Sequence, residues 1–592
     1  MSYIYGSTIQ YSDTILDKKN KIASNRGKVM YPTIEYITKF ANLKLISETP
    51  VPVVMDGCII NKNDLIKKYF FKEGTILSDK DLLLKLYKVI GIELLSQING
   101  DFSFVIYDEE QQILFGARDR LGVKPFYYVS DKRGFEFASQ LLPLCIGNNY
   151  NINELSRQFY FTFQYVPDPY SIIKEVNKLR AGEYFIYSLA DKSLEIKKYW
   201  DIYDNTSSFE EPKTIEEAIE ISEALINTSL KERVEQFSTT SVGTFLSGGI
   251  DSSLMTMLLS QQVQNLSSFS IGFENVGFDE SEYARAVANE LKIDLHQFTC
   301  TPKDTLDVIE KIPIFYDEPM GDASSIPSTF LSQKSKQFID FAVGGDGGDE
   351  IFWGYSRYLR YFDKKKIYHI PYSLRMMLAY CLQQYKPRLA ESLKFNDVQT
   401  LYNNRRNYNI AERFNPFEIE KNHPDLQYLY KNKDVRKAFS DFDIKSLMNY
   451  AYITKMDRPT SGNALNFTAP LLDYRLVEYS RILPIDLMYK EGVGQKLILR
   501  NILYKKLPKE LFERKKRGFG VPLVHWFRND LKDYVQDVLN KDTLLDIPEY
   551  DIKSALQLIN NHIVGKENHT TFIWLCINYL LWLDYYNKVI NM

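Results

Sequence analysis

The sequence predicts an α/β protein of at least two domains, and three observations lead there. The chain has 592 residues, too many for one hydrophobic core. Its first two hundred or so residues read as short strands with hairpin-type connections. Beyond about residue 213, strands alternate with helices in the rhythm of a parallel, doubly wound sheet.

Each element has its own signal. Val51–Met55, Phe102–Tyr107, Ile113–Ala117, Phe126–Val129 and Glu183–Tyr187 are apolar or alternating runs of strand length. Asp108–Gln112 is a polar turn between two of them. Residues 201–212 are acidic and polar, which predicts a linker between a domain over 1–200 and a second over 213–592. In the second domain Val242–Leu246 predicts a strand and a helix opens near Ser252. Leu266–Phe273 predicts the next strand, Ser281–Leu291 a helix and Phe341–Gly344 a further strand. After about Tyr355 the pattern is mostly helical. The apolar run Phe572–Leu583 contains Asn578 and is too short to span a bilayer, so it predicts a buried helix.

Composition narrows the class. With 45% hydrophobic and 25% charged residues the chain is that of a globular protein. A net charge of −3 without a long basic run gives no footprint for nucleic acid. The five cysteines form no C-x-x-C pair and the six histidines no H-E-x-x-H pattern, against a zinc site or disulfide framework. The N-terminus lacks signal-peptide architecture. The expectation is a cytoplasmic protein with no membrane partner.

The chemistry concentrates in Leu246–Ser247–Gly248–Gly249–Ile250–Asp251–Ser252–Ser253. A small-residue loop between a strand and a helix start presents backbone N–H groups to an anion. Asp251 would repel a bare phosphate, so its natural partner is Mg²⁺. No Walker A string occurs. Ser270–Phe273 ends the second strand, where backbone at Ile271 can meet an adenine edge. Gly344–Glu350 ends a third and carries glycines and metal-binding acids. Arg514–Pro522 is a basic loop. Transfer at phosphorus needs both metal-binding acids and a cation on the transferring group.

The S-G-G-x-D-S-S string resembles the pyrophosphate loop of ATP pyrophosphatases. The chain as a whole resembles the glutamine-dependent asparagine synthetase family. Supporting strings are Asp317–Pro319 with Asp322, the run from Gly344 to Tyr355, Lys455–Arg458, Pro470–Asp473 and Arg514–Pro522. Asn99–Phe104 and Ala117–Pro125 match the family's N-terminal domain. The resemblance implies an Ntn-type amidotransferase-like αββα sandwich, then an ATP-pyrophosphatase-type parallel α/β domain with a helical extension. It implies ATP contacts at Leu246, Ser247, Gly248, Gly249, Asp251, Ser252, Ser253, Ile271, Gly344 and Gly345. Asp251 and Asp349 would hold Mg²⁺, Asp346 would lie near the reacting carbonyl, and Lys516, rather than its neighbour Lys515, would stabilise developing charge. The implied reaction activates a carboxylate as an acyl-adenylate, which an amine attacks with loss of AMP.

The chain departs from the family in its glutamine site. Ser2 stands where the nucleophilic cysteine is expected, and a hydroxyl is far less ionised than a thiol. Asp56–Gly57–Cys58 replaces Asn-Gly-Glu, and Lys44 replaces an arginine that would grip a carboxylate in bidentate fashion. Asp79 is retained. Glutamine hydrolysis is therefore expected to be lost. Asn466 and Thr468 stand where the family has Glu and Arg, a change at either a structural pair or the acyl pocket. Three readings follow. The favoured one is a specialised amide ligase or macrocyclase of the lasso-peptide cyclase or β-lactam synthetase kind, whose substrate supplies the amine. The second is an asparagine former using free ammonia, and the third a non-catalytic scaffold. A homodimer and biosynthetic partner proteins both remain open.

Overall fold

The computed structural model describes residues 3–9, 11–23, 34–37, 44–47, 52–70, 77–204, 208–237, 241–274, 279–404, 419, 421–514 and 520–591. Alternating apolar residues with tight polar turns make the first part antiparallel. Its strands are β1 (Tyr5–Ser7), β2 (Ile34–Ile37), β3 (Lys44–Ser47), β4 (Val53–Ile59), β5 (Gly100–Asp108) and β6 (Ile113–Arg118). They continue with β7 (Tyr127–Asp131), β8 (Gly134–Ala138), β9 (Asn177–Lys178), β10 (Glu183–Ser188) and β11 (Leu194–Lys198). One sheet runs β2-β3-β1-β8-β7-β9 and the other β11-β10-β6-β5-β4. Ile4, Val105, Phe135, Phe137 and Phe185 pack together from the two sheets. This is the expected antiparallel sandwich, with helices Lys62–Phe70 and Asp79–Ile90 beside it.

The second part holds a five-stranded parallel sheet of β12 (Val242–Phe245), β13 (Ser267–Phe273), β14 (Asp294–Cys300), β15 (Phe341–Val343) and β16 (Asn466–Thr468). Its order is β14-β13-β12-β15-β16, so the chain reverses direction across the sheet beside β12, where ligands bind in such folds. Two of these strands escape the sequence pattern. β14 is an edge strand of mostly polar residues, and β16 has only 3 residues. Helix Ser281–Leu291 falls where its pattern places it. The helix expected near Ser252 starts at Ile250, because Gly249 is its N-cap.

The two parts share a core. Tyr5, Tyr127 and Phe159 join Ile312, Trp574 and Trp582 in one apolar cluster. The run 572–583 lies inside helix Thr570–Ile590 and is buried, as expected. Among the described residues no helix is long and apolar enough to cross a membrane. The acidic stretch after Trp200 begins with anchors. Trp200 Nε1 donates to Glu478 at 2.7 Å and Tyr203 Oη to Asp441 at 2.6 Å. Asp201 accepts from Tyr428 Oη at 2.7 Å.

Candidate active site

A cavity of about 820 Å³ opens at the carboxyl ends of β12, β13 and β15. The Leu246–Ser252 loop forms one wall, Ser270, Ile271 and Phe273 another, and Gly344–Glu350 a third. Helix Ile250–Ser260 points its N-terminus into this space, and no side chain caps it. Its free N–H groups and dipole are available to an anion. Ser247 and Ser252 hold the loop's shape, with their hydroxyls 3.0 Å apart.

The two glycine-rich loops touch. A Cβ at Gly345 would stand 2.7 Å from the backbone of Asp251 and Ser252, so only glycine permits this approach. The contact brings Asp251 and Asp349 to one cation. Lys496 Nζ lies 2.7 Å from Asp349 and also donates to Asp251. Burial opposes the ammonium, but the two carboxylates outweigh it and raise its pKa. Gly354 makes room for this lysine, since a Cβ there would sit 1.9 Å from Lys496 Cε. Two carboxylates already sharing a cation form a donor set suited to Mg²⁺, which takes one or two carboxylates and completes its shell with phosphates and water.

Asp346, Glu350 and Asp322 also line the cavity, as does Glu280. Burial raises the Asp346 carboxyl, and the Lys455 ammonium pulls it back. Glu350, buried and accepting from Tyr355 Oη, is pushed up to about 7 by burial and then by Asp349. Asp322 accepts from Ser324 N at 2.9 Å and Ser324 Oγ at 2.7 Å ahead of helix Ser325–Ser335. Arg514 fixes the root of the basic loop. Its guanidinium lies over Tyr283 at 3.4 Å, pairs with Glu280 at 3.0 Å and donates to the Gly248 carbonyl at 3.2 Å. Arg514 and Gly520 both line the cavity.

The structure thus gathers Leu246, Ser247, Gly248, Gly249, Asp251, Ser252, Ile271, Gly344, Gly345, Asp346 and Asp349 around one space. Ser253 differs. It is fully buried and does not line the cavity, because it faces inward on the first turn of its helix. Lys515, Lys516 and Ser2 lie outside the described residues. Sequence reading missed Lys496, Arg500, Glu280 and Tyr283, which sit in no string with a chemical signature. Lys455 and Arg514 stood inside quoted strings that gave them no separate role.

Several strings in the resemblance face the other way, toward the N-terminal part. Asp317 accepts from the backbone N–H groups of Leu141 and Leu142. Glu318 accepts from Tyr127 Oη at 2.8 Å and pairs with Lys178 at 3.1 Å. Asp457 pairs with Lys124 at 2.8 Å. Asp473 pairs with Arg233 and accepts from Asn99 Nδ2, each at 3.1 Å. Thr468 belongs to the same network, accepting from Arg233 Nε at 3.0 Å. Neither Asn466 nor Thr468 lines the cavity.

In the glutamine-site region, Lys44 is on β3 and Asp56 is buried on β4 opposite Ser103. Asp79 opens helix Asp79–Ile90 and pairs with Lys62 at 3.1 Å. Burial, then Asp101 and Asp79, push the Cys58 thiol up to about 12, so it is not a thiolate.

Two family profiles match the chain. The asparagine synthase profile matches residues 222–584. The chain belongs to the asparagine synthase family. It is an ATP-dependent carbon–nitrogen ligase of the asparagine synthetase type. A glutamine amidotransferase domain profile matches residues 45–200. Asparagine synthetase (glutamine-hydrolysing) 1 of Bacillus subtilis strain 168 is 28% identical over 90% of this chain and 85% of its own length. A protein of Methanocaldococcus jannaschii, provisionally named asparagine synthetase (glutamine-hydrolysing) 2, is 33% identical over 56% of this chain and 64% of its own.

Proposed function

We propose that this ligase forms an amide through an acyl-adenylate without drawing nitrogen from glutamine. The observation that carries it is the convergence of Asp251 and Asp349 on one cation beside an uncapped helix N-terminus. The N–H groups of the 247–252 loop would bind the pyrophosphate of ATP, with Ile271 at the adenine and Leu246, Gly344 and Gly345 along the nucleotide. Asp251 and Asp349 would hold Mg²⁺, which neutralises phosphate charge. The acyl carboxylate attacks the α-phosphorus and pyrophosphate leaves. An amine then attacks the acyl carbon and AMP leaves. Lys516 would meet the charge that develops, a role supported by cavity-lining residues on both sides of its segment. Asp346 is the carboxyl placed to touch the reacting carbonyl or amine.

The glutamine half of the reading rests on Ser2, Lys44 and Cys58 and on the neutralisation of Asp79 by Lys62. Residues 1–200 are then a degenerate amidotransferase domain, joined at 201–212 to the synthetase domain, and the anchors at Trp200 and Tyr203 support its retention as a structural partner. Two sources of nitrogen fit. One is free ammonia, giving asparagine from aspartate. The other is an amine on the acyl substrate itself, as in a lasso-peptide or β-lactam type of cyclisation.

The test is AMP and pyrophosphate release from Mg-ATP and aspartate with ammonium or with glutamine. Turnover with ammonium alone supports the reading. Equal turnover with glutamine overturns the claim of a lost glutaminase. ATP binding without turnover in either case points to the substrate-borne amine.

A further inference from the structure

Away from the cavity, one helix leaves a large apolar face uncovered. Helix Tyr372–Leu382 carries a single charge, Arg375. That side chain is buried and donates to the carbonyls of Ile370, Leu393 and Phe395. Ala379 and Leu382 lie on the same side and pack with Ile367, Ala390 and Leu393 in a small core of their own. Leu374, Met377, Leu378 and Cys381 form the other side, at i, i+3, i+4 and i+7, and all four are exposed. Met377 is 60% exposed, and Tyr380 and Tyr385 are 83% and 82% exposed. A helix apolar on both faces is ordinarily covered on both. A contiguous apolar patch left in the open marks an interaction surface. None of residues 370–386 lines the cavity.

The charge around this face says what covers it. Residues 356–394 hold nine lysines and arginines against two acids, Asp363 and Glu391, in a chain whose net charge is −3. Exposed cations flank the helix, Lys365 and Lys366 before it and Lys386 and Lys394 after it. The helix itself has no acid. A second copy seated on this face would set like charge against like charge across a two-fold axis. An apolar centre with tyrosines at its margin and lysines beyond both ends is instead the order of an interfacial helix. Its apolar side enters the acyl boundary while the tyrosines and ammonium groups meet the headgroups. We propose that helix Tyr372–Leu382 docks this protein on an anionic lipid surface. The sequence expectation of no membrane partner rested on the lack of a spanning run. This contact lies on the bilayer and needs none, and among the described residues no helix is long and apolar enough to cross one.

The test uses the full chain and large unilamellar vesicles, of phosphatidylcholine alone or with roughly 30% phosphatidylglycerol. Co-sedimentation should show binding at least about 10-fold tighter to the anionic vesicles, weakening as salt is raised. Lys365→Glu combined with Lys366→Glu should lower that binding about 10-fold or more, and Met377→Glu by a similar factor. These side chains are exposed, so thermal unfolding of both variants should match wild type, which checks the fold. Cys381 is the exposed cysteine of the five, so an environment-sensitive thiol label there reads the face directly, with Cys381→Ser as the blank. The label should shift to the blue on anionic vesicles. Absence of vesicle binding, equal binding to both vesicle types, binding unchanged by Met377→Glu, or a bound chain with an unshifted label each overturns the proposal. A wild-type dimer that Met377→Glu renders monomeric also overturns it, because a second copy then covers the face.

Discussion

The synthetase cavity and the glutamine-site region of the N-terminal part both gather acidic groups, and they treat them in opposite ways. In the cavity Asp251 and Asp349 share one cation, Lys496, at an open wall, and Asp346 and Lys455 line the same space. In the N-terminal part Asp79 is paired with Lys62 and Cys58 is a half-buried neutral thiol. Ligand sites need groups held in place yet left wanting a partner. On the proposed reading the N-terminal region no longer has that task and can satisfy its charges internally, which favours stability over binding.

The largest expected effect comes from the Asp251–Asp349 pair, proposed to hold Mg²⁺. Asp349→Asn should lower pyrophosphate release by about 1,000-fold or more, as expected for loss of metal-assisted charge stabilisation. Asp79→Asn should leave ammonium-dependent turnover within about two-fold. A similar loss in both variants would erase the contrast between the regions.

Next is Lys516→Ala, which should cut kcat about 100- to 1,000-fold while ATP still binds, since a contact made in the transition state affects rate more than affinity. Single-turnover AMP formation with an ATP titration checks this. Full retained activity would remove Lys516 from the mechanism. Ser2→Ala should change neither ammonium- nor glutamine-supplemented turnover, and any loss with glutamine alone would revive the glutaminase.

The domain contact gives a smaller, structural effect. Trp200 is buried against the synthetase part, and Trp200→Ala should destabilise the protein by about 3–5 kcal/mol, the range for emptying a large aromatic site. Thermal unfolding reads it. A fragment from residue 213 should aggregate, because it uncovers the apolar face shared with Tyr127 and Phe159. A soluble, active fragment would sink the view that the first domain persists as a cover.

The smallest effect is a pH dependence at the domain contact. Burial pushes the Asp317 carboxyl up to about 6, against Arg458 and two backbone N–H donors. A carboxyl raised on folding holds its proton more tightly in the native state. Its contribution therefore favours folding at low pH and is lost as pH rises from the ordinary carboxylate range, near 4, through about 6. Asp317→Asn should flatten that part of the Tm–pH curve. An unchanged curve would show that Asp317 is ionised without penalty.

Much of the site was legible because its chemistry is local. The 246–253 loop and the 344–350 loop each carry their glycines and acids within eight residues, so strand, turn and ligand group can be read together. Lys496 was not legible. It lies 245 positions from Asp251, at the N-cap of helix Leu497–Tyr504, and no string around it carries a chemical signature. Strands β14 and β16 were hidden for a related reason. An edge strand and a 3-residue strand take their stability from neighbours and need little apolar pattern of their own.

The sequence by itself determined the order of the two parts, the pyrophosphate loop, the family and the loss of the glutamine-site residue types. Only the tertiary structure decided which matching residues serve chemistry and which hold the domains together. Lys455 and Asp457 belong to one short string, yet Lys455 faces the cavity while Asp457 binds Lys124 of the first domain. Two residues on a helix stand about 200° apart around its axis, so one string supplies two opposite faces. Which of those faces meets the ligand depends on where the helix is packed.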